Sequence, residues 1–524
     1  MLITDILSRN ARVYGNETAL IERELGTTRR PLLTWKEFND LSSQIANYLI
    51  QKGIKKGDKV VLLMMNSIDW LPIYFGILRS GAIVVPLNFR FEAPTIRSCI
   101  TLSEAKIMFF GSEFIERIDS IKDDLSLFVN LFIYTGEADQ KPDYAIPFAE
   151  IRKNGELNDP NCQIGLLDDA GLYFTSGTTG KPKAVLLTHR NLEYACFVEN
   201  HHHRQVYTDN FLCIPPLYHT GAKMHWFGNF IVGAKSVILK GIDPKWILSV
   251  ISEERVTVVW LLVPWALDIL FAIESGEVNL NDYQIDQWRL MHIGAQPVPS
   301  SLIREWKRFF PNHQYDTNYG LTETTGPGCV HLGLENSKKV GAIGVAGFDW
   351  ETRIVGSDNK PVERGIPGEL IVKGPGVMKE YYKNKQATEE VLADNWLSTG
   401  DIAREDEDGF IWLVDRKKDV IITGGENIYP VEIEDFLQSH EKIKDVAVIG
   451  IPSTRLGEIA AAIVQVKEGT NLDKTEILEF CETLPRYKRP RRIIFGEVPR
   501  NPTGKIEKPL LRKLYTGKKE VFKT

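Results

Sequence analysis

The chain has 524 residues, of which 43% are hydrophobic and 25% charged. At roughly 100–200 residues per domain this predicts several folding units, and the composition excludes a disordered chain, a collagen and a disulfide mini-protein. Lys and Arg number 63 against 69 for Asp and Glu, and the resulting net charge of −6 excludes a protein that coats nucleic acid by bulk charge.

The N-terminus, Met1-Leu-Ile-Thr-Asp5, has no basic region followed by an apolar run, so no signal peptide is expected. The apolar runs around Val60–Met65 and Val258–Val263 are far shorter than the ~20 residues of a membrane span. Cys99, Cys162, Cys196, Cys213, Cys329 and Cys481 form no C-x-x-C pair, and scattered thiols fit a reducing compartment. A cytoplasmic protein without an integral membrane segment is expected.

Lys59–Met65 reads as a strand after the turn Lys56-Gly57-Asp58. Trp70–Leu78 follows at helical spacing, and Gly81–Pro86 reads as the next strand. Strand, helix and strand in that order predict a parallel α/β sheet. The alternation recurs at Ala105–Phe110, Ser236–Leu239 and Thr257–Leu262. His201-His202-His203 invites a metal reading, but consecutive residues rarely face one ion and no carboxylate or thiol is expected to complete a set. From about Gly341 the short strands Thr352–Val355, Gly368–Lys373 and Gly409–Val414, separated by Gly, Pro and Asp turns, predict a β-rich subdomain. Asp415-Arg-Lys-Lys-Asp419 is a charged break. Beyond it Pro430 and two nearby glutamates mark a helix start, strands are expected at Asp445–Gly450 and Ala460–Val466, and a helix at Lys474–Leu484 with Ile477, Leu478, Cys481 and Leu484 on one face. The stretch Pro485–Thr524 is strongly basic, which suits either a solvated surface or a polyphosphate ligand.

The most informative string is Tyr173-Phe-Thr-Ser-Gly-Thr-Thr-Gly-Lys-Pro-Lys183. Four hydroxyls and two glycines lie between two apolar runs. Glycine lets backbone approach a ligand, and amides and hydroxyls donate to phosphate oxygens. Thr175 stands where a Walker loop needs Gly, and Pro182 follows the lysine, so this is a phosphate loop of another class.

With this loop the sequence resembles the AMP-forming acyl-CoA synthetases, in a superfamily that also holds nonribosomal adenylation domains and luciferases. Further strings match in the family's order: Pro216-Leu-Tyr-His-Thr-Gly221, Gly294-Ala-Gln-Pro297, Tyr319-Gly-Leu-Thr-Glu323, Ser398-Thr-Gly-Asp401, Asp415-Arg-Lys-Lys-Asp419, Gly424-Gly-Glu-Asn427 and Asn501-Pro-Thr-Gly-Lys505. The resemblance implies an α/β fold: a large N-terminal domain of parallel sheets plus the β-rich subdomain over 1–415, a hinge at 416–419 with Lys418 as pivot, and a small mobile α+β lid over 420–524. It implies a ligase that joins a carboxylic acid to ATP, releasing pyrophosphate, and then passes the acyl group to coenzyme A. Acids of fatty acid metabolism are included.

The resemblance also assigns roles. Thr175, Ser176, Gly177, Thr178, Thr179, Gly180 and Lys181 would hold phosphates. Glu323 and Thr175 would hold Mg²⁺, and Thr322 would touch the α-phosphate. Gly294, Ala295, Gln296, Asn318, Tyr319 and Gly320 would line the adenine pocket, with Tyr319 stacking on the base. Asp401 and Arg416 would hold the ribose, His219 would sit near the carboxylate, Lys505 would catalyse adenylation, and Gly424 and Gly425 would lie beside pantetheine.

The implied partners are a small carboxylic acid, ATP and coenzyme A, with a homodimer left open. Ala184 departs from the family's usual Gly. Lys223 and His225 also depart; they could face a polar or carboxylated substrate tail, but the expectation is that they sit on the solvent side of a helix. An acyl- or amino-acid-adenylating enzyme that transfers to a carrier protein is the alternative, although Pro215–Gly221 has no Asp to pair an amino group. A phosphate-releasing ATPase lacks its Walker loop here, and no motif supports luciferase oxygen chemistry.

Overall fold

Lys59–Leu63, Ile83–Pro86 and Ile107–Phe110 are short, rich in β-branched and aromatic residues, and almost wholly buried, as strands covered on both faces must be. They pair in parallel, with Val60 opposite both Val84 and Ile107. The computed structural model describes residues 1–175, 182–294, 298–331, 339–424, 426–500 and 506–516. Eight strands make this first sheet, in the order Glu380–Tyr381, Lys183–Thr188, Asp169–Thr175, Ile83–Pro86, Lys59–Leu63, Ile107–Phe110, Leu131–Tyr134 and Ala145–Pro147. A second sheet of seven strands runs Gln314–Asp316, Leu290–Gly294, Val258–Leu262, Asn210–Cys213, Lys235–Lys240, Thr18–Glu24 and Leu32–Thr34, parallel except at the last pairing.

The helices Trp35–Gln51, Trp70–Arg79, His189–His203 and Thr220–Phe230 share one core with both sheets: Trp35, Phe38, Phe75, Trp226 and Phe230 pack with Val60 and Val84 of the first and Phe211 and Val258 of the second. Local signals set their starts. Thr34 and Glu37 form a capping box before Trp35–Gln51, and Thr188 with Asn191 does the same before His189–His203. A second core lies on the far face of the seven-stranded sheet.

The β-rich region is an antiparallel sheet of Glu351–Val355, Gly368–Lys373, Trp396–Glu405 and Leu392–Ala393, with Ile411–Arg416 also paired to Trp396–Glu405. Arg416 still belongs to this sheet, and Ile421–Thr423 already belongs to the next, so the chain changes sheets over residues 417–420. The C-terminal body has five strands, led by the long pair Ile443–Ser453 and Gly457–Val466, with helices Pro430–Gln438, Lys474–Phe480 and Lys508–Thr516. The architecture is α/β with a small α+β C-terminal part.

The helix expected over Lys474–Leu484 is shorter than its apolar spacing implies. It ends at Phe480 and tightens into a 3₁₀ turn, Cys481–Thr483. Leu478 is turned out to solvent while Ile477 and Cys481 are buried. Among the described residues, no helix is long and apolar enough to cross a membrane.

Candidate active site

Asp169–Thr175 and Lys183–Thr188 are antiparallel neighbours, with Thr175 opposite Lys183. The hydroxyl-rich string therefore starts and ends on neighbouring antiparallel strands, and the described residues that follow it are the strand Lys183–Thr188 rather than a helix with a dipole to offer. Any grip on phosphate there has to come from hydroxyls, backbone amides and cations. Ser176, Gly177, Thr178, Thr179, Gly180 and Lys181 lie outside the described residues, as do Ala295, Gln296, Gly425 and Lys505.

Described contacts join three of the matched strings directly. Tyr319 is buried, and its Oη donates to Asp401 Oδ2 at 2.5 Å. Arg416 Nε lies 3.3 Å from Asp401 Oδ1, because Asp401 and Arg416 are register partners on adjacent strands. Asp401 itself is 5% exposed. Burial, followed by the charge of Asp401, raises Tyr319 well above the usual phenol range, so its hydroxyl stays a donor.

Glu323 sits in the 3₁₀ turn Thr322–Thr324, where its Oε1 accepts from Tyr381 Oη at 2.7 Å. Tyr381 pairs with Val185 beside the hairpin, and Lys183 Nζ lies 4.6 Å from its ring centroid. Tyr381 thus ties the acidic residue to the strand that follows the hydroxyl-rich string. Thr325, just after Glu323, is a β-branched residue held at φ +62, anchored by a hydrogen bond from its hydroxyl to Gly376 O at 2.7 Å. A side chain at Gly320 would put Cβ 2.5 Å from Gly326 O, so glycine there is a steric requirement.

Gly294 ends its strand beside Thr317, whose Oγ1 would lie 3.7 Å from a Cβ at 294. The next residue in the chain, Asn318, reaches the third group of strings: its Nδ2 is 3.2 Å from His225 Nε2 and 3.2 Å from Glu199 Oε1. His219 caps the helix Thr220–Phe230, with its Nδ1 accepting from Gly221 N at 3.2 Å. Contacts thus link Tyr319, Asp401 and Arg416 directly, Glu323 through Tyr381 to the strand that begins at Lys183, and Asn318 to the helix that His219 caps. Gly424 does not join them. It lies in the C-terminal body at φ +59, with its N–H donating to Leu456 O. Lys418 is exposed in the turn between sheets.

Two expectations are overturned. Lys223 and His225 do not face solvent, since they are 0% and 3% exposed on a helix buried on every side. Burial alone drives the Lys223 amine far below its ordinary range. Its Nζ finds no hydrogen-bond partner among the described residues and sits 4.4 Å from the Tyr173 ring and 5.1 Å from that of Tyr74.

The triplet His201–His203 also differs from expectation. His201 stacks on Phe348 at the surface, but His202 and His203 both turn inward, and carboxyls stand beside them. Asp316 bonds His202 and lies 3.1 Å from His203 Nε2, and Glu199 Oε2 lies 3.5 Å from His203 Nδ1. His292, opposite Asp316 in the sheet, lies 3.0 Å from His203 Nε2 through its Nδ1, and His225 stacks on Trp260 at 4.3 Å. Burial lowers His225 and His292, lowers His203 to about 3 and raises Glu199 to about 8. For His202 burial acts downward, but the charge of Asp316 prevails and raises it.

Sequence reasoning missed Tyr381, Glu199, His292 and Asp316. Only Glu199 left a sequence signal, four residues before His203 on one helical face.

Comparison with known proteins gives the family. The AMP-binding enzyme family profile matches residues 7–382, and the AMP-binding enzyme C-terminal domain matches residues 432–505. The chain is 33% identical over 488 residues to the long-chain-fatty-acid–CoA ligase FadD13 of Mycobacterium tuberculosis, covering 93% of each. It is 32% identical over 511 residues to a feruloyl-CoA synthase of Amycolatopsis sp, covering 97% of this chain and 98% of that one. The fold superposes on ATP-bound MatB from Rhodopseudomonas palustris with a TM-score of 0.87 at 25% identity, covering 99% of each chain. The chain belongs to the AMP-binding enzyme family, as an AMP-forming acid–thiol ligase of the acyl-CoA synthetase type.

Proposed function

We propose that the chain activates a compact carboxylic acid as its acyl-adenylate and transfers the acyl group to coenzyme A, with the residues above dividing the work. The observation that carries this reading is the Tyr319–Asp401–Arg416 arrangement, in which a buried carboxylate is held by one hydroxyl and one guanidinium at the meeting point of three motifs. Such a group suits two neighbouring sugar hydroxyls, because both can donate to it.

ATP and the acid are both anionic, so their approach needs donors and cations aimed at the phosphates. Thr175, Ser176, Gly177, Thr178, Thr179, Gly180 and Lys181 hold the β- and γ-phosphates. Thr322 contacts the α-phosphate, and Gly294, Ala295, Gln296, Asn318, Tyr319 and Gly320 border the purine. Glu323 and Thr175 are half-buried oxygen donors, which suits a hard cation that keeps several waters. Mg²⁺ bound there neutralises phosphate charge. Lys505 supplies the cation for the attacking carboxylate and the α-phosphate. Lys418 is the pivot on which residues 420–524 turn between half-reactions, bringing Gly424 and Gly425 to the thiol arm of coenzyme A.

A compact acid is favoured because Trp260 crowds the space beside His219: a Cβ at Gly221 would be 3.1 Å from Trp260 Cη2. Pyrophosphate release is measured over short, medium, long-chain, aromatic and dicarboxylic acids, with and without coenzyme A. Short or aromatic acids should lead, and preference for long alkyl acids would remove the size argument. Lys505→Ala should abolish adenylate formation but spare thioester formation from supplied acyl-adenylate, and Lys418→Pro should do the reverse. A chain that never yields AMP from ATP with any acid overturns the reading.

A further inference from the structure

We propose that Glu199, His203, His225 and His292 form a buried site for a divalent transition metal of the Zn²⁺ class. The ring nitrogens of His203, His225 and His292 include one set that lies within 4.8 Å of one another. A point equidistant from three atoms so spaced is at most about 2.8 Å from each, against ~2.0–2.1 Å for a Zn–N bond, so a sub-ångström shift closes the set.

The outer atoms of the rings are arranged as metal-bound histidines require. His225 Nδ1 lies 2.6 Å from Gly221 O, which can accept its proton and leave Nε2 turned inward. Asp316 Oδ2 lies 3.1 Å from His203 Nε2, so this carboxylate can back that ring and leave its Nδ1 for a ligand bond. An acceptor behind an imidazole fixes its tautomer and raises its basicity.

The fourth ligand is the second, independent observation. Glu199 is fully buried, its Oε1 accepts from Asn318, and its Oε2 has no hydrogen-bond partner among the described residues. His203 Nδ1 is likewise unpartnered there and only 3.5 Å from Glu199 Oε2. Leaving such atoms unmet inside a protein is costly, and a cation between them satisfies both. Three imidazoles, with a carboxyl oxygen beside one of them, offer the nitrogen-rich donor set that suits Zn²⁺. The ion would join the helix His189–His203, the helix Thr220–Phe230 and the strand Leu290–Gly294 directly beneath Gly294 and Asn318.

The test uses tag-free full-length protein expressed with added Zn²⁺ and purified without chelator. Elemental analysis should find about one Zn²⁺ per chain, and protein produced in Co²⁺ medium should show the strong visible absorption of tetrahedral Co²⁺. The double variant His203→Gln, His292→Gln should lose at least nine-tenths of the metal. Glu199→Gln, nearly the same shape and still able to bond Asn318, should keep its circular dichroism but shift or weaken the Co²⁺ band. Dialysis of the native chain against phenanthroline should lower its thermal midpoint, which keeps the idea testable if the double variant does not fold. Native protein with under a tenth of an equivalent of metal, or undiminished metal in folded variants, overturns the assignment. So does a metal-free chain in which His225→Asn changes only the acid preference, because the cluster would then be a wall of the acid pocket.

Discussion

Removing a single oxygen, Tyr319→Phe, probes how the proposed ribose carboxylate is held. The hydroxyl lies 2.5 Å from Asp401 Oδ2 and the ring is buried, so the variant keeps the packing and deletes one charge-assisted hydrogen bond. Such bonds contribute about 1.5–3 kcal/mol net. Arg416, 3.3 Å from the other oxygen and half-exposed, replaces little of that loss. If the hydroxyl aims Asp401 at the sugar, most of the cost is felt as weaker ATP binding. At about 1.4 kcal/mol per decade this is a 10- to 100-fold rise in KM for ATP, with kcat changed far less. The assay is the initial rate of pyrophosphate release against ATP at saturating acid, run on Tyr319→Phe, Asp401→Asn and the pair together. Because the two residues act as one unit, the double variant should fall within about 0.5 kcal/mol of Asp401→Asn alone. An unchanged KM for ATP in Tyr319→Phe, or fully additive losses in the pair, refutes the reasoning.

Glu323→Gln keeps an acceptor for Tyr381 but removes the charge. The Mg²⁺ concentration giving half-maximal turnover should rise at least about tenfold, and an unmoved midpoint argues against a metal role. Asp415 gives a pH prediction. Burial, opposed by Lys508 and the backbone N–H groups of Val431 and Arg416, raises its carboxyl from 3.8 to about 6. The native state therefore holds this proton more tightly than the unfolded chain does. Its stabilising effect is complete below about pH 4 and lost as pH rises through 6, a change on the order of 3 kcal/mol. Asp415→Asn should raise the thermal midpoint above pH 6 relative to the parent but not at pH 4, and a uniform shift at both would contradict that sign.

The parallel sheets were legible because short apolar runs separated by amphipathic segments admit few other arrangements, and the matched strings pointed to Tyr319, Asp401 and Arg416, which the structure brings into contact. The cluster beneath it was not legible. His292 and Asp316 are far apart in sequence and meet only through the register of adjacent strands, which apolar spacing does not encode. Lys223 and His225 misled for a different reason. A polar residue in a helix ordinarily marks its wet face, but Met224, Trp226, Phe227 and Phe230 surround these two on a helix that has no wet face. Tyr381 belongs to a two-residue strand at a sheet edge, too short to leave a periodic signature.

The pairing of Thr175 with Lys183 fixes both ends of the hydroxyl-rich string. Adjacent strands stand about 4.8 Å apart, so Thr175 and Lys183 are held side by side. Both anchors belong to one antiparallel ladder that runs back to Asp169 opposite Thr188, so neither end can shift along the sheet without breaking the register of the whole pair.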